Sequence, residues 1–332
     1  MMGGSFLGER LPDGYGPCAP AAMKIFVAGA TGVVGRRAVP LMLQAGHDVT
    51  VLLRPQSRMI PRALAGAHTA QVNLFDREAV RRAVSGHEVV LNLATHIPAT
   101  TGRMFLPGVW RQNDRLRRDG AGNLADGASA AGARRLIQES FALVYPDRGD
   151  AWIDEETPIE PVRYNRTVPD AERAAQRFTA NGGEGVVLRF AAFYGPDAHQ
   201  TVDMIKLVRK GWAPLPGAPS AYFSSVSHDD AATAVIAALG LPAGIYNVAD
   251  DEPLDRRNFA CSLAQALGVG SPRSLPAWVA GLMGSMGKLM SRSERISNRK
   301  LRETSGWTPA YSSVRVGWPP TVKAISAAIT VH

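Results

Sequence analysis

The chain is predicted to be an α/β protein, a doubly wound parallel sheet with a smaller C-terminal lobe. Three observations predict it. A glycine-rich turn in KIFVAGATGVVG, Lys24 to Gly35, sits between an apolar β-type run and a helical stretch. From Lys24 to Phe190 short apolar runs alternate with helical stretches across short connections, the pattern of parallel strands with helical crossovers. After Phe190 that rhythm gives way to Pro- and Gly-rich loops with a few helices. With 332 residues, 45% of them hydrophobic, the chain can bury one large core and a lobe beside it.

Taken in order, residues 1–22 are rich in Gly and Pro, lack a basic start and a long apolar stretch, and are expected to be a disordered leader rather than a signal peptide. Met23 is a second possible start. Strands are expected at Lys24–Ala28, Asp48–Leu53, Ala70–Leu74, Glu88–Ala94, Arg135–Glu139, Gly185–Phe190 and Gly244–Val248. Helices are expected at Arg36–Gln44, Arg77–Val84, Arg118–Ala131 and Asp170–Thr179. Residues 23–190 and 224–249 are assigned to a dinucleotide-binding domain, and 191–223 and 250–332 to a substrate-binding lobe.

The first turn carries the chemistry. Gly29 permits a tight turn, Gly32 lets backbone approach a pyrophosphate, and Gly35 allows close helix–strand packing. The positive end of the following helix then faces the anion. The intervening Thr31, Val33 and Val34 belong to the same cradle. An acidic residue about 20 positions further on would bind a ribose 2′-hydroxyl, whereas an arginine suits a 2′-phosphate. Strand HDVTVLL ends at Arg54, followed by Ser57 and Arg58, and Asp48 stands too early. The expected cofactor is therefore NADP, with NAD possible.

Several function classes are disfavoured. The formal charge is +8, but the basic residues are scattered as pairs such as Arg81-Arg82 and Arg134-Arg135 without interleaved aromatics, so no nucleic-acid partner is expected. No apolar run reaches membrane-spanning length; Leu275 to Met290 comes nearest and contains Gly281, Gly284 and Gly287. Two distant cysteines, Cys18 and Cys261, suit a reducing, cytoplasmic location. Seven histidines show no ligand spacing, so no metal is expected. His228-Asp229-Asp230 could be imagined as a ligand cluster, and Asp154-Glu155-Glu156 is read as loop.

From Lys24 to about Trp318 the residues resemble the extended short-chain dehydrogenase/reductases, the NAD-dependent epimerase/dehydratase family, whose fold is of the Rossmann type. AGATGVVG resembles the family's Gly-x-x-Gly-x-x-Gly turn, and VNLFDREAV its adenine-side segment, with Asn73 in place of the first acid and Asp76 retained. LNLATHIP resembles the stretch beneath the nicotinamide, LRFAAFYGPDA the Leu-Arg-x-x-x-x-Tyr-Gly-Pro segment, and NRKLRETSGWTPAY the C-terminal Gly-Trp-x-Pro signature. The resemblance implies cofactor contacts at Asn73, Leu74, Ala94, Thr95 and Tyr164, a small-molecule substrate, and a possible homodimer. It also makes His228-Asp229-Asp230 a helix entry whose acids are N-terminal caps, and Asp154-Glu155-Glu156 an exposed acidic turn.

The catalytic positions depart from that pattern. The family uses a Ser or Thr, a Tyr as acid/base, and a Lys four residues later that lowers the tyrosine pKa. In VRYNRTVPDAERAAQRF, Tyr164 matches the tyrosine but Val168 stands at the lysine, and Pro169 is expected to disfavour helix there. In QESFALVYPD, Phe141 occupies the hydroxyl position with Ser140 beside it. Arg117 and Ala192 stand where the family often carries asparagines. Tyr164, Ser140 and His96 are the catalytic candidates, with Tyr145 and Arg166 as further substitutes. Trp278, Met283, Met286 and Met290 suggest an organic ligand pocket. Three readings stay open: an NADP-dependent oxidoreductase or epimerase/dehydratase relative acting on a small carbonyl or hydroxyl compound, a redox-silent NADP-binding sensor or scaffold, and a cofactor-assisted non-redox enzyme.

Overall fold

Side chains alternate across seven parallel strands so cleanly that the sheet divides the apolar residues into two cores. The computed structural model describes residues 21–57, 61–98, 104, 108–275 and 277–330. The expected leader lies outside the described residues except for its last two, as does Arg58; the side chain of Trp278 is also outside them. The strands are β1 (Lys24–Ala28), β2 (Asp48–Leu53), β3 (His68–Gln71), β4 (Val89–Asn92), β5 (Arg135–Phe141), β6 (Glu184–Phe190) and β7 (Gly244–Val248). They lie in the order β7-β6-β5-β4-β1-β2-β3, every pair parallel. Because the chain runs outward from β1 in one direction and then restarts at β4 on its other side, the switch point falls between β1 and β4.

One face of the sheet, with Phe26, Leu52, Val90, Leu136 and Val187, packs against helices α2 (Arg77–Val84), α4 (Ala121–Ala130) and α5 (Val168–Ala180). Small residues on α4 and α5 (Ala121, Ala125, Ala128, Ala171, Ala174, Ala175) let these helices lie close to it. The opposite face, with Ile25, Val27, Val51, Leu91, Ile137 and Leu188, packs against α1 (Gly35–Gln44) and α6 (His228–Ala237). That second core continues into the later chain: Phe259 of α7 (Arg256–Leu267) meets Phe223 at 5.4 Å and Trp318 of α8 (Val314–Thr330) at 5.5 Å, both edge-on. The later segments also pair with earlier ones, residues 295–296 alongside 152–153 and 225–227 alongside 192–194.

Helix α3 (Arg111–Arg115) runs into α4 through a π-turn at Leu116–Gly120. The helix thus begins earlier than the expected Arg118, and the wider turn changes which side chains point inward. Arg117 is buried, while Arg115 and Arg118 on either side are exposed and pair with Asp119 and Asp170.

Four local expectations need correction. The third strand ends at Gln71 instead of reaching Leu74, because Asn73 begins a turn: its side chain accepts from the Phe75 N–H (3.1 Å) and its carbonyl from the Asp76 N–H (2.9 Å). Asp76 then caps α2. Pro169 does not exclude Val168 from α5; it occupies the first turn, where a missing N–H costs nothing. At α6 the cap is Ser227, whose hydroxyl accepts from Asp230 N–H at 2.9 Å. Asp230 instead accepts from the backbone of Ala310 (2.6 Å) and Tyr311 (3.2 Å), and Asp229 pairs with Arg37 at 2.5 Å. Glu155 is no free loop acid: it accepts from Asn247 N–H at 2.7 Å and secures β7.

Candidate active site

Three glycines shape the end of β1, each for a different reason. Gly29 has φ +85°, and a Cβ there would stand 2.4 Å from the Leu93 carbonyl carbon, so β1 and the segment after β4 touch at the switch point. At Gly35 a Cβ would lie 2.4 Å from the Gly29 carbonyl oxygen, which is why helix and strand can pack so closely. At Gly32 a Cβ would meet only that same oxygen, at 3.2 Å, so the space over Gly32 is open. No side chain caps the start of α1; the Arg36 and Arg37 N–H groups donate to the Gly32 and Val34 carbonyls (3.0 Å each), while those of Val33, Val34 and Gly35 have no partner among the described residues. An open glycine facing an uncapped helix start fits a pyrophosphate.

A cleft of about 510 Å³ opens on one side of this turn. Leu52 to Ser57 and Val72 to Phe75 form one wall; Leu93 to His96, Gln112 and Leu116 form the other. It therefore brings together Gly29, Thr31, Gly32, Arg54, Asn73, Leu74, Ala94 and Thr95. Arg54 is exposed and makes no ion pair with a described residue. A smaller cavity of about 50 Å³ lies on the other side of the turn, lined by Val33, Val34, Gly35, Thr95, Glu139, Phe190 and Phe193.

The expected catalytic residues are distributed unevenly. His96 is exposed on the wall of the cleft, its backbone N–H donating to Asn113 at 2.9 Å. Tyr164 is half-buried and packs edge-on against Trp110 at 4.5 Å. Burial raises its phenol pKa strongly; Arg117 opposes the rise and Glu139 adds to it. Ser140 is buried, and its hydroxyl donates to Glu172 at 2.6 Å. Glu172 is in turn clamped by Arg189 through two hydrogen bonds of 2.7 Å. Arg189 also donates to the Tyr145 hydroxyl (2.7 Å), which donates to Asn247 (2.9 Å). Tyr145 is thus a link in a buried network tying β5, β6 and β7 to α5, with its phenol pushed up to about 12 by burial. Arg166 is an exposed cation, 3.9 Å from Asp114. Val168 is buried at the start of α5.

Two ionisable groups stand where the expected relay does not. Arg117, on the π-turn, is buried and favours the ionised forms of both Tyr164 and Glu139. Glu139, near the carboxyl end of β5, lines the smaller cavity and has no hydrogen-bond partner for its carboxylate among the described residues. Burial raises its pKa, Arg117 lowers it and Glu172 raises it further. Glu139 and Phe193 were not among the sequence candidates. A signal existed for the first: an acid on an interior strand is costly unless something uses it. Phe193 had none, being one apolar residue among many.

Known proteins resemble the chain in sequence and in fold. The model of the NAD dependent epimerase/dehydratase family matches residues 25–249. A "3-diazoavenalumate denitrifying reductase" from Streptomyces sp is 34% identical over 89% of this chain and 99% of that protein. A "4-hydroxy-2-methyl-3-oxo-4-farnesyl-3,4-dihydroquinoline-1-oxide ketoreductase" from Stigmatella aurantiaca is 25% identical over 74% of each chain. The structure of a Thermus thermophilus UDP-glucose 4-epimerase in complex with NAD superimposes with a TM-score of 0.73 at 23% identity, over 92% of this chain and 100% of that one. The chain belongs to the NAD-dependent epimerase/dehydratase family and is an enzyme of that kind.

Proposed function

We propose that the chain is an NADP-dependent reductase of a small organic acceptor, which meets the reacting end of the cofactor beside Phe190 and Phe193. The observation that carries this reading is the glycine turn with a space on each side, Arg54 bordering one and Glu139 the other. Gly29, Gly32 and the start of α1 would hold the pyrophosphate, Arg54 the 2′-phosphate, and Asn73 and Leu74 the adenine side. Ala94, Thr95 and Tyr164 would border the nicotinamide, which supplies a hydride when bound. Two relatives named as reductases favour reduction over epimerisation.

The chain's own groups then position the acceptor. Tyr164, with its pKa raised by burial, remains a neutral phenol and can donate a hydrogen bond but cannot act as tyrosinate base. Phe190 and Phe193 keep water from the reacting end. Val168 favours a second acceptor class, one whose reduction takes up no proton. In a diazonium, R–N₂⁺ plus hydride gives R–H plus N₂, so the lysine-supported relay is dispensable; the Streptomyces relative's name points the same way.

The test is loss of NADPH absorbance with a panel of ketones and aryl diazonium salts, using the purified full chain. Turnover of ketones alone supports the first acceptor class and turnover of diazonium salts alone the second. Tight NADPH binding without turnover of either supports a redox-silent protein.

A further inference from the structure

We propose that Arg117, Glu139 and Tyr164 form the acid–base group of this site, with Glu139 carrying the transferable proton, Arg117 as its positioning cation and Tyr164 as a neutral hydrogen-bond donor. The inference rests on the reading that the glycine turn holds a nicotinamide dinucleotide. Such a molecule straddles the switch point, so its two ends lie on opposite sides of the turn. Arg54, Asn73 and Leu74 stand on one side. The reacting end then falls on the other, where Glu139 is the ionisable side chain lining the cavity.

The family pattern supplies a cation from the helix that follows the tyrosine. Here that position is Val168, buried at the start of α5, and the nearby Arg166 points its side chain to solvent. The buried cation comes from a different element. The π-turn at Leu116–Gly120 turns Arg117 inward, where it makes no direct hydrogen bond or ion pair with a described residue. A buried guanidinium without a close partner is expensive unless nearby charge compensates it. From there it acts on Glu139, favouring the carboxylate against the effect of burial.

Glu139 is faced by Arg117 from the π-turn, Tyr164 from the loop before α5, and Glu172 from α5. Glu172 is held by Arg189 and Ser140 and keeps its place in the network. Burial outweighs the attraction of Arg117, so the carboxyl keeps its proton to higher pH than an ordinary glutamate. With a carbonyl acceptor, the carbon takes the hydride and the oxygen takes the Glu139 proton. The C=O π bond, the carboxyl O–H bond and the C–H bond of the dihydronicotinamide that carries the hydride break, new C–H and O–H bonds form on the acceptor, and the carboxylate regains a proton from water. The carbonyl is reduced and the dihydronicotinamide oxidised.

The experiment measures calorimetric affinities for NADP⁺ and NADPH as the pH is raised across the range in which the protein stays folded. Ionised Glu139 attracts the cationic oxidised ring and not the neutral reduced one. The NADP⁺/NADPH affinity ratio is expected to rise about tenfold with pH, one pK unit of coupling. Glu139→Gln, similar in shape, should flatten the ratio. Arg117→Gln should move its midpoint about one unit upward, and Arg117→Lys should restore it. A wild-type ratio independent of pH, a pH-dependent ratio that survives Glu139→Gln, or an Arg117→Gln midpoint that does not move overturns the proposal. Wild-type protein that binds neither nucleotide, with NAD⁺ and NADH as further probes, overturns the cradle reading itself.

Discussion

The two sides of the glycine turn are built by different means. The phosphate side is made of backbone from one continuous segment, where three glycines and an uncapped helix start do the shaping. The opposite cavity takes side chains from separate elements, Glu139 on β5 and Phe193 beyond β6, and Arg117 on the π-turn acts electrostatically on both Glu139 and Tyr164. A backbone site tolerates change in its side chains and depends on glycine spacing. A side-chain site can move a charge from one element to another while the fold stays the same.

The largest effect that tests this contrast comes from the turn. Gly32→Val is expected to weaken NADPH binding by about 100-fold or more, the loss of two hydrogen bonds to charge at about 1.5 kcal/mol each. Thermal stability should change little, because a Cβ at that position meets only the Gly29 carbonyl, at 3.2 Å. Gly29→Val should instead impair folding, since it combines a left-handed φ of +85° with a clash at Leu93. Calorimetry alongside thermal denaturation separates the two, and Gly32→Val with normal NADPH affinity would remove the cradle from that place.

On the other side the largest loss is one of stability. Glu172→Gln leaves Arg189, whose side chain is 4% exposed, buried beside a neutral partner. Breaking a buried pair in this way costs about 3–5 kcal/mol, whereas replacing both members by apolar residues of similar size often costs little. Denaturant unfolding should therefore show Glu172→Gln well below wild type and Glu172→Leu/Arg189→Met closer to it. Equal stability of Glu172→Gln and wild type would mean that the network does not hold β5 to α5.

The legibility of the sequence follows the same division. KIFVAGATGVVG announces strand, turn and helix in adjacent residues, and β1, α1, β2 and β7 fall where the pattern predicts them. The third strand was misjudged because Asn73 turns the chain through its own side chain, a local effect stronger than the apolar run. Arg117 could be read as a departure from the family but not as a buried charge, since its direction depends on a π-turn that helical periodicity does not reveal. Ser140 and Tyr145 have the chemistry of catalytic groups, yet Glu172, Arg189 and Asn247 engage their hydroxyls. Only the packing of distant segments shows this.

A smaller effect is expected at the adenine end. Arg54→Ala should reduce the preference for NADPH over NADH by about 1.5–3 kcal/mol, the range for hydrogen bonds to a charged group. Arg54 is exposed and without an ion pair among the described residues, so the substitution should leave stability unchanged. Equal affinities for NADPH and NADH in the wild-type protein would remove the 2′-phosphate from the reading and leave the turn in place.

The smallest effect discriminates most sharply between the two cations near Tyr164. Arg166 lies two residues from the tyrosine, the nearer in sequence, but its side chain is 61% exposed and 3.9 Å from Asp114. Exposed pairs of this kind contribute roughly 0–1 kcal/mol and are screened by salt. Arg166→Ala should therefore change stability by less than about 0.5 kcal/mol, as surface substitutions usually do. It should also leave the pH dependence of the NADP⁺/NADPH ratio where it was, because solvent separates a surface charge from the cavity. If Arg166→Ala moved that midpoint as far as Arg117→Gln, the cation of this site would belong to the approach to α5, as sequence proximity suggests. If only Arg117→Gln moves it, burial on the π-turn outweighs proximity along the chain.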